Sequence, residues 1–270
     1  MHFSCPNCGG KLNIQEKTAL CERGHSFDKA KGGYYNLLLS NVGGVHGDNK
    51  EMVLARRAFL NGGYYEPLAR LISDLVCANA PVGCSVLDAG AGEGYYTDFI
   101  ERTLFERDGK SDVSAFDISK DAVREIHKKN PRISLAVAGS YHMPIADAEF
   151  DTVINTFSPL ALEETRRVLK SGGHFIMAIP GEMHLFDLKS VIYDTPYKNI
   201  VDDTALEGFE LISDDALTYK FNLGSSEEIK NLFMMTPYAY RTKPSDREKV
   251  LSLNNLECTA DFRIFLYKKL

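Results

Sequence analysis

A doubly wound parallel α/β domain, preceded by a small metal-held ribbon, is the architecture this sequence predicts. Three observations point to it. From Ser85 onward, apolar strand-like runs alternate with helical patterns. A glycine-rich turn follows the first of those runs. Three of the six cysteines crowd into the first 21 residues.

The ribbon comes first. Cys5-Pro-Asn-Cys8 is followed, after twelve residues, by Cys21-Glu-Arg-Gly-His25. Three thiolates and one imidazole form a tetrahedral set suited to Zn²⁺. Short turns at Pro6-Asn7 and Gly24 let the backbone fold the four donors around one ion. A segment this short has too little core to fold alone, so metal binding should supply much of its folding free energy. Four protein ligands close the site, which makes it structural or recognitional and not catalytic. A redox pair is disfavoured because the C-x-x-C opens the chain and follows no strand of a βαβ unit. Cys77, Cys84 and Cys258 lie scattered among apolar neighbours and read as core thiols.

Residues 34–38 suggest a short strand or packing segment, and Asn41 to Asp48, with three glycines, a linker. Asp48 or Asn49 can cap a helix from about Lys50 to Leu60, with Met52, Ala55, Phe59 and Leu60 on its apolar face. A second helix follows Pro67 through Leu68, Leu71, Ile72 and Leu75. Parallel strands are predicted at Ser85–Ala89, Val113–Asp117, Ile133–Val137, Thr152–Asn155 and His174–Ile179. Pro159 suits the first turn of a helix running to Leu169, with Gly172-Gly173 as its stop. Leu217–Asn222 and Phe262–Lys268 look like two further strands. Ser225-Ser-Glu-Glu228 and Ser245-Asp-Arg-Glu248 each carry a capping-box signature. The expected division is 1–36 for the ribbon, 37–83 for a linker and covering helices, and 84–270 for the α/β domain.

The glycine turn carries the chemistry. Asp88-Ala89-Gly90-Ala91-Gly92-Glu93-Gly94-Tyr95 places three alternating glycines between a strand and a helix. A dinucleotide site requires G-x-G-x-x-G, with amides aimed at a pyrophosphate. Here Tyr95 occupies the third glycine position of that spacing. Asp88 would repel a diphosphate but can accept from an ammonium group. Asp117, ending the second strand, is placed to bind a ribose diol. A ribose, an amino-acid end and no phosphate describe S-adenosylmethionine.

Joined to Pro144-Ile-Ala-Asp147 and Leu169-Lys-Ser-Gly-Gly173, the turn resembles the class I (Rossmann-like) S-adenosylmethionine-dependent methyltransferase pattern over residues 84–180. Glu51-Met-Val-Leu-Ala-Arg-Arg-Ala-Phe-Leu60, Gly63-Tyr-Tyr-Glu-Pro-Leu68, Gly181-Glu-Met-His-Leu185 and Met235-Thr-Pro-Tyr238 narrow the resemblance. With the ribbon, they resemble the bacterial 23S rRNA (guanine-N1-)-methyltransferase family of the RlmA type, which includes tylosin-resistance enzymes. The resemblance spans essentially the whole chain. It implies Cys5, Cys8, Cys21 and His25 as ligands of one structural zinc. It also implies cofactor contacts from Tyr65, Gly92, Glu93 and His184, beside Asp88, Gly90 and Asp117. Without it, Tyr65 reads as a core aromatic and His184 as a satisfied surface histidine. It further implies a homodimer whose two ribbons flank a cleft for a 23S rRNA hairpin.

Composition bounds these expectations. The chain has 270 residues, is 44% hydrophobic and carries a formal charge of -6. The first 70 residues hold nine Lys and Arg against six Asp and Glu, net +3. A local basic face matters more to nucleic acid than the overall sum. Lys11, Lys17, Arg23, Lys29 and Lys31 are the candidate phosphate contacts, with Arg56 and Arg57 further on. Phe3, Phe27, Tyr34 and Tyr35 lie among them as candidate stacking groups. No apolar run approaches the roughly 18 residues a membrane span needs, and the first residues lack a signal peptide's features. A cytoplasmic protein with reduced cysteines is expected. Two rival functions stay open: a small-metabolite methyltransferase whose ribbon is only structural, and a non-catalytic RNA-binding module that retains cofactor affinity. The catalytic residues are not specified by the sequence.

Overall fold

A computed structural model describes residues 1–39, 47–201 and 204–270. Its ribbon is a three-stranded antiparallel sheet of β1 (Leu12–Gln15), β2 (Thr18–Cys21) and β3 (Ser26–Asp28). After β4 (Tyr35–Asn36), two helices follow, α1 (Lys50–Asn61) and α2 (Glu66–Asn79). Asn49 caps α1 by accepting from the Met52 N–H, as the sequence allowed. Part of the expected linker, residues 41–46, lies outside the described residues.

The α/β alternation then begins. It runs β5 (Ser85–Ala89), α3 (Tyr95–Arg107), β6 (Asp112–Asp117), α4 (Lys120–Lys129), β7 (Ser134–Val137), β8 (Phe150–Thr156), α5 (Leu162–Val168) and β9 (Leu169–Pro180). The chain closes with α6 (Phe186–Ile192), β10 (Phe209–Leu223), α7 (Ser226–Met234), α8 (Tyr238–Arg241), α9 (Pro244–Leu251) and β11 (Leu256–Lys269). Eight strands form one sheet in the order β10-β11-β9-β8-β5-β6-β7-β4. Pairing is parallel from β4 to β9, and β11 is antiparallel to both β9 and β10. Strand order reverses at β5, so a crevice opens beyond its carboxyl end, where doubly wound sheets bind ligands.

Successive residues of a strand face opposite sides of the sheet. Val86 therefore enters one apolar cluster with α1 to α4 and α7, while Leu87 and Ala89 enter the other. That second cluster also contains Phe3, Cys5, Leu12 and Cys21 of the ribbon. The Ser4 N–H donates to Pro144 O at 2.6 Å, and Phe3 bridges Ile145. The ribbon thus shares a core with the α/β sheet. Phe3, Tyr34 and Tyr35 are buried in these clusters and unavailable for stacking on RNA, because packing claimed their apolar surface first. Phe27 remains half-buried.

Other sequence expectations shift for local reasons. Leu169 to Gly173 open β9, and α5 ends at Val168, so Gly172 lies in the irregularity between the paired residues Leu169 and His174 and does not stop a helix. Pro159 precedes that helix, outside its first turn. Ser225 caps α7 by accepting from the Glu228 N–H, and the Glu228 carboxylate reaches back to the Gly224 and Ser225 backbone N–H groups, as a capping box requires. The second capping box does not form. Pro244 occupies the start of α9, which suits its fixed φ, and draws the helix start ahead of Ser245. On α2 the buried stripe is Leu68, Ala69, Ile72, Ser73 and Val76, with Leu71 and Leu75 at its margin. Among the described residues no helix is long and apolar enough to cross a membrane.

Candidate active site

The four ribbon ligands come together as the spacing predicts. Cys8 and Cys21 place their Sγ atoms 3.7 Å apart, and His25 Nδ1 lies 3.5 Å from Cys5 Sγ and 3.4 Å from Cys21 Sγ. All four ligand atoms fall within 4.8 Å of one another. Tetrahedral bonds of about 2.3 Å from zinc to sulfur would set two thiolates about 3.8 Å apart, so the cluster fits zinc. Burial pushes the Cys21 thiol up, but the backbone N–H groups of His25 and Arg23 outweigh it and bring it down to about 6. Those amides favour the thiolate that a metal requires.

A second site lies beyond β5. One cavity of about 680 Å³ is lined by Tyr65, Asp88, Gly90, Gly92, Glu93, Asp117 and His184, all seven of the residues expected at the cofactor. The glycine turn lies close under the following loop: a Cβ on Gly90, whose φ is +85°, would stand 2.1 Å from Ser158 Oγ. Three acids surround the space. The Thr97 hydroxyl donates to Asp88 Oδ2 at 2.6 Å, while Asp88 Oδ1 and Glu93 Oε1 are buried without a partner. Asp117 accepts from the Gly92 N–H at 2.9 Å and the Ser119 N–H at 2.8 Å. Burial raises the Asp88 carboxyl to about 7 and also raises Glu93 and Asp117.

Buried carboxylates with free lone pairs call for donors and positive charge. S-adenosylmethionine brings both, through its ammonium, sulfonium and ribose hydroxyl groups, and the residues present fit it. Arg56 supplies charge from the protein side. Sequence reasoning placed it on an RNA face, yet it lines this cavity, pairs with Asp48 and donates to Met235 O at 3.4 Å. Burial pushes its guanidinium down, but Asp48, Glu93 and Asp117 leave it raised. Arg57 is likewise occupied, with Glu125. Their adjacency on a helix signalled that they could not share one face.

Tyr65 and His184 reach the cavity from outside the α/β alternation. The Tyr65 ring is held edge-on by Phe59 at 5.0 Å and Phe262 at 4.9 Å. His184 sits in the turn after β9, where Asp261 of β11 accepts from the Met183 N–H. The Asp261 N–H donates to His184 Nδ1 at 3.3 Å, and Tyr65 Oη lies 3.2 Å from Nε2. Burial lowers His184 to about 3, so its ring is neutral. With Nδ1 accepting, the single ring proton sits on Nε2 and is donated to Tyr65. The Tyr65 hydroxyl hydrogen is then free to point into the cavity. His184 is buried, with both ring nitrogens engaged, which corrects its reading as a surface residue. Met235 to Tyr238 also line the cavity, as do Tyr96 and Phe157. The first group lay within a quoted motif, Tyr96 in the glycine-turn stretch and Phe157 in the loop after the fourth predicted strand, but nothing in the sequence alone marked Asp261.

Comparison with known proteins adds two domain matches. Residues 3–41 match the zinc-ribbon family described as "RlmA, N-terminal", and residues 86–173 match "Methyltransferase domain". A Bacillus subtilis (strain 168) protein, provisionally named a 23S rRNA (guanine-N(1)-)-methyltransferase, is 30% identical over 99% of this chain and 97% of its own. A Micromonospora griseorubida protein with the same provisional name is 31% identical over 90% of this chain and 88% of its own. The Streptomyces fradiae 23S rRNA (guanine(748)-N(1))-methyltransferase is 34% identical over 69% of this chain and 66% of its own.

Proposed function

Since the chain belongs to the RlmA-type 23S rRNA (guanine-N1-)-methyltransferase family, we propose that it transfers a methyl group from S-adenosylmethionine to N1 of a guanine in a 23S rRNA hairpin. One observation carries this reading. Helices outside the doubly wound core fold back over the glycine turn, so that Tyr65, His184, the buried carboxylates of Asp88 and Glu93 and the half-buried one of Asp117 share one cavity.

When bound, S-adenosylmethionine supplies an activated methyl group on its sulfonium. Asp88 and Glu93 carry the unpartnered oxygens suited to its ammonium group and positive charge. Asp117, fixed by two backbone amides, serves the ribose diol. The Tyr65 hydroxyl, relieved of its proton-donor duty to His184, serves the carboxylate. Guanine N1 starts protonated and paired, so the base must leave its stack and be oriented before transfer. Proximity and orientation supply most of the rate in such an in-line displacement, and the reading assigns no general base.

The ribbon provides the RNA-facing charge. Lys11, Lys17, Arg23, Lys29 and Lys31 are exposed, and none forms an ion pair among the described residues. Such cations suit phosphate contacts in a hairpin. We further read the enzyme as a cytoplasmic homodimer with one structural zinc per chain, the two ribbons flanking the RNA.

The test is methyl transfer from labelled S-adenosylmethionine to unmodified 23S rRNA, followed by digestion and mass spectrometry of the nucleosides. Appearance of 1-methylguanosine is expected. Cofactor binding without methylation of naked rRNA or assembling particles would overturn the proposal.

A further inference from the structure

We propose that Asn199 is a positioning residue for the cofactor site: clamped by the buried Lys189, it fixes the turn that carries His184 and, through His184, the Tyr65 hydroxyl. The inference rests on the cofactor reading above. The turn runs from Gly181 to Leu185, between β9 and α6, and leans on outside partners. Leu185 has φ +54°, a left-handed backbone that a bulky residue adopts at a cost. Within the turn the His184 N–H reaches Gly181 O at 3.2 Å.

The other backbone groups of the turn are divided between two partners. Strand β11 takes N–H groups: Gly181 donates to Asp261 O at 2.7 Å, Met183 to Asp261 Oδ2 at 2.8 Å and Leu185 to Thr259 O at 2.9 Å. Asn199 takes carbonyls. Its side-chain amide donates to Gly181 O at 2.8 Å and His184 O at 3.2 Å, and its backbone N–H donates to Glu182 O at 2.9 Å. Asn199 belongs to no helix or strand, so regular backbone pairing does not place it.

Lys189 of α6 does. Its side chain is wholly buried and has no carboxylate partner among the described residues. The ammonium donates to Asn199 Oδ1 at 2.6 Å and to Tyr197 O at 3.1 Å, and it lies 4.4 Å from the centre of the Tyr197 ring. An ammonium can only donate, so the atom it meets is the amide oxygen, and the NH₂ group is left facing the two carbonyls. A lysine buried without a counter-charge is costly where an apolar side chain could pack. That cost is offset by what the ammonium does, which is to fix the sense of this amide. Its charge also acts on His184: burial lowers the imidazole most, and the ammonium adds to that against Asp261. Contact thus runs from Lys189 to Asn199, from Asn199 to the His184 carbonyl, and from His184 Nε2 to the Tyr65 hydroxyl.

Two variants divide the clamp. Asn199→Asp keeps an acceptor for Lys189 and the backbone N–H for Glu182 O, but has no donor for Gly181 O and His184 O. Lys189→Met keeps the buried volume and frees the amide to turn. Each should retain a cooperative thermal melt and bind S-adenosylhomocysteine about three- to tenfold more weakly than the wild type by calorimetry, as loss of one or two hydrogen bonds implies. In a Tyr65→Phe background the further loss from Asn199→Asp should shrink to less than about twofold, because its effect passes through Tyr65. A merely structural role would lower the melting temperature and leave the two losses additive. Wild-type affinity in either single variant would overturn the proposal, and so would additive losses in the double variant. Wild-type protein that binds no S-adenosylhomocysteine would instead reject the underlying cofactor reading, a separate result.

Discussion

Replacing Tyr65 by Phe deletes a single oxygen, and its surroundings determine what that oxygen contributes. The ring stays wedged between Phe59 and Phe262, so packing is retained. Two hydrogen bonds are affected. The first is the one His184 Nε2 donates, which loses its acceptor in a buried setting. An orphaned buried donor costs about 1–3 kcal/mol, or a few degrees of melting temperature in a protein of this size. The second is the bond that, on the proposed reading, the Tyr65 hydroxyl offers to the cofactor carboxylate. A hydrogen bond to a charged group contributes about 1.5–3 kcal/mol, so cofactor binding should weaken about ten- to a hundredfold. The first loss is common to free and bound protein and moves only the melting temperature. The second moves affinity. Calorimetric titration with S-adenosylhomocysteine and a thermal melt of the same preparation separate them. Because burial holds His184 near about 3, its charge is unchanged from pH 6 to 8, and the affinity defect should be constant over that range. A lower melting temperature with wild-type affinity would refute the assignment and leave Tyr65 as a holder of His184 alone.

Three more outcomes are expected. Burial raises Asp88 from 3.8 to about 7 in the ligand-free protein. Its contribution to stability is therefore complete below its unfolded value and is lost as pH rises through about 7. A cationic ligand prefers the ionised form, so cofactor affinity should rise from pH 5.5 to 7, and Asp88→Asn should flatten that rise in a calorimetric pH series. Asp117→Ala should weaken cofactor binding by at least about tenfold, because it removes the ribose acceptor and strips the Gly92 and Ser119 amides of theirs; unaltered affinity would overturn the ribose assignment. Cys21→Ala should release zinc, measured by metal analysis. It should also lower the melting temperature of the whole chain, since Phe3 and Leu12 share a core with the sheet; one zinc retained per chain would refute the ligand set.

Much of this was legible in the chain because the relevant constraints are local. Metal ligands four residues or fewer apart within each pair must form knuckles, and the alternation of runs from Ser85 to Ile179 yields parallel strands in order. The glycine turn with Asp88 and Asp117 announced a ligand without phosphate. The elements that differed were decided by neighbours. Leu169 entered β9 because a parallel partner, Phe150 of β8, lay beside it. Phe3, Tyr34 and Tyr35 looked available to RNA but were drawn into the cores on either side of the sheet.

By itself, then, the sequence determined the zinc ligand set, the order of the α/β units and the chemical class of the cofactor, all of which depend on residues close along the chain. Tertiary structure alone decided that Arg56 lines the cavity, paired with Asp48 and near Glu93 and Asp117. It likewise decided that Asp261 sets the tautomer of His184, and that Phe157 stands exposed beside the glycine turn. The Arg56–Met235 and His184–Asp261 pairs join residues 179 and 77 positions apart, and only packing of the sheet and its covering helices brings such groups within reach of one another.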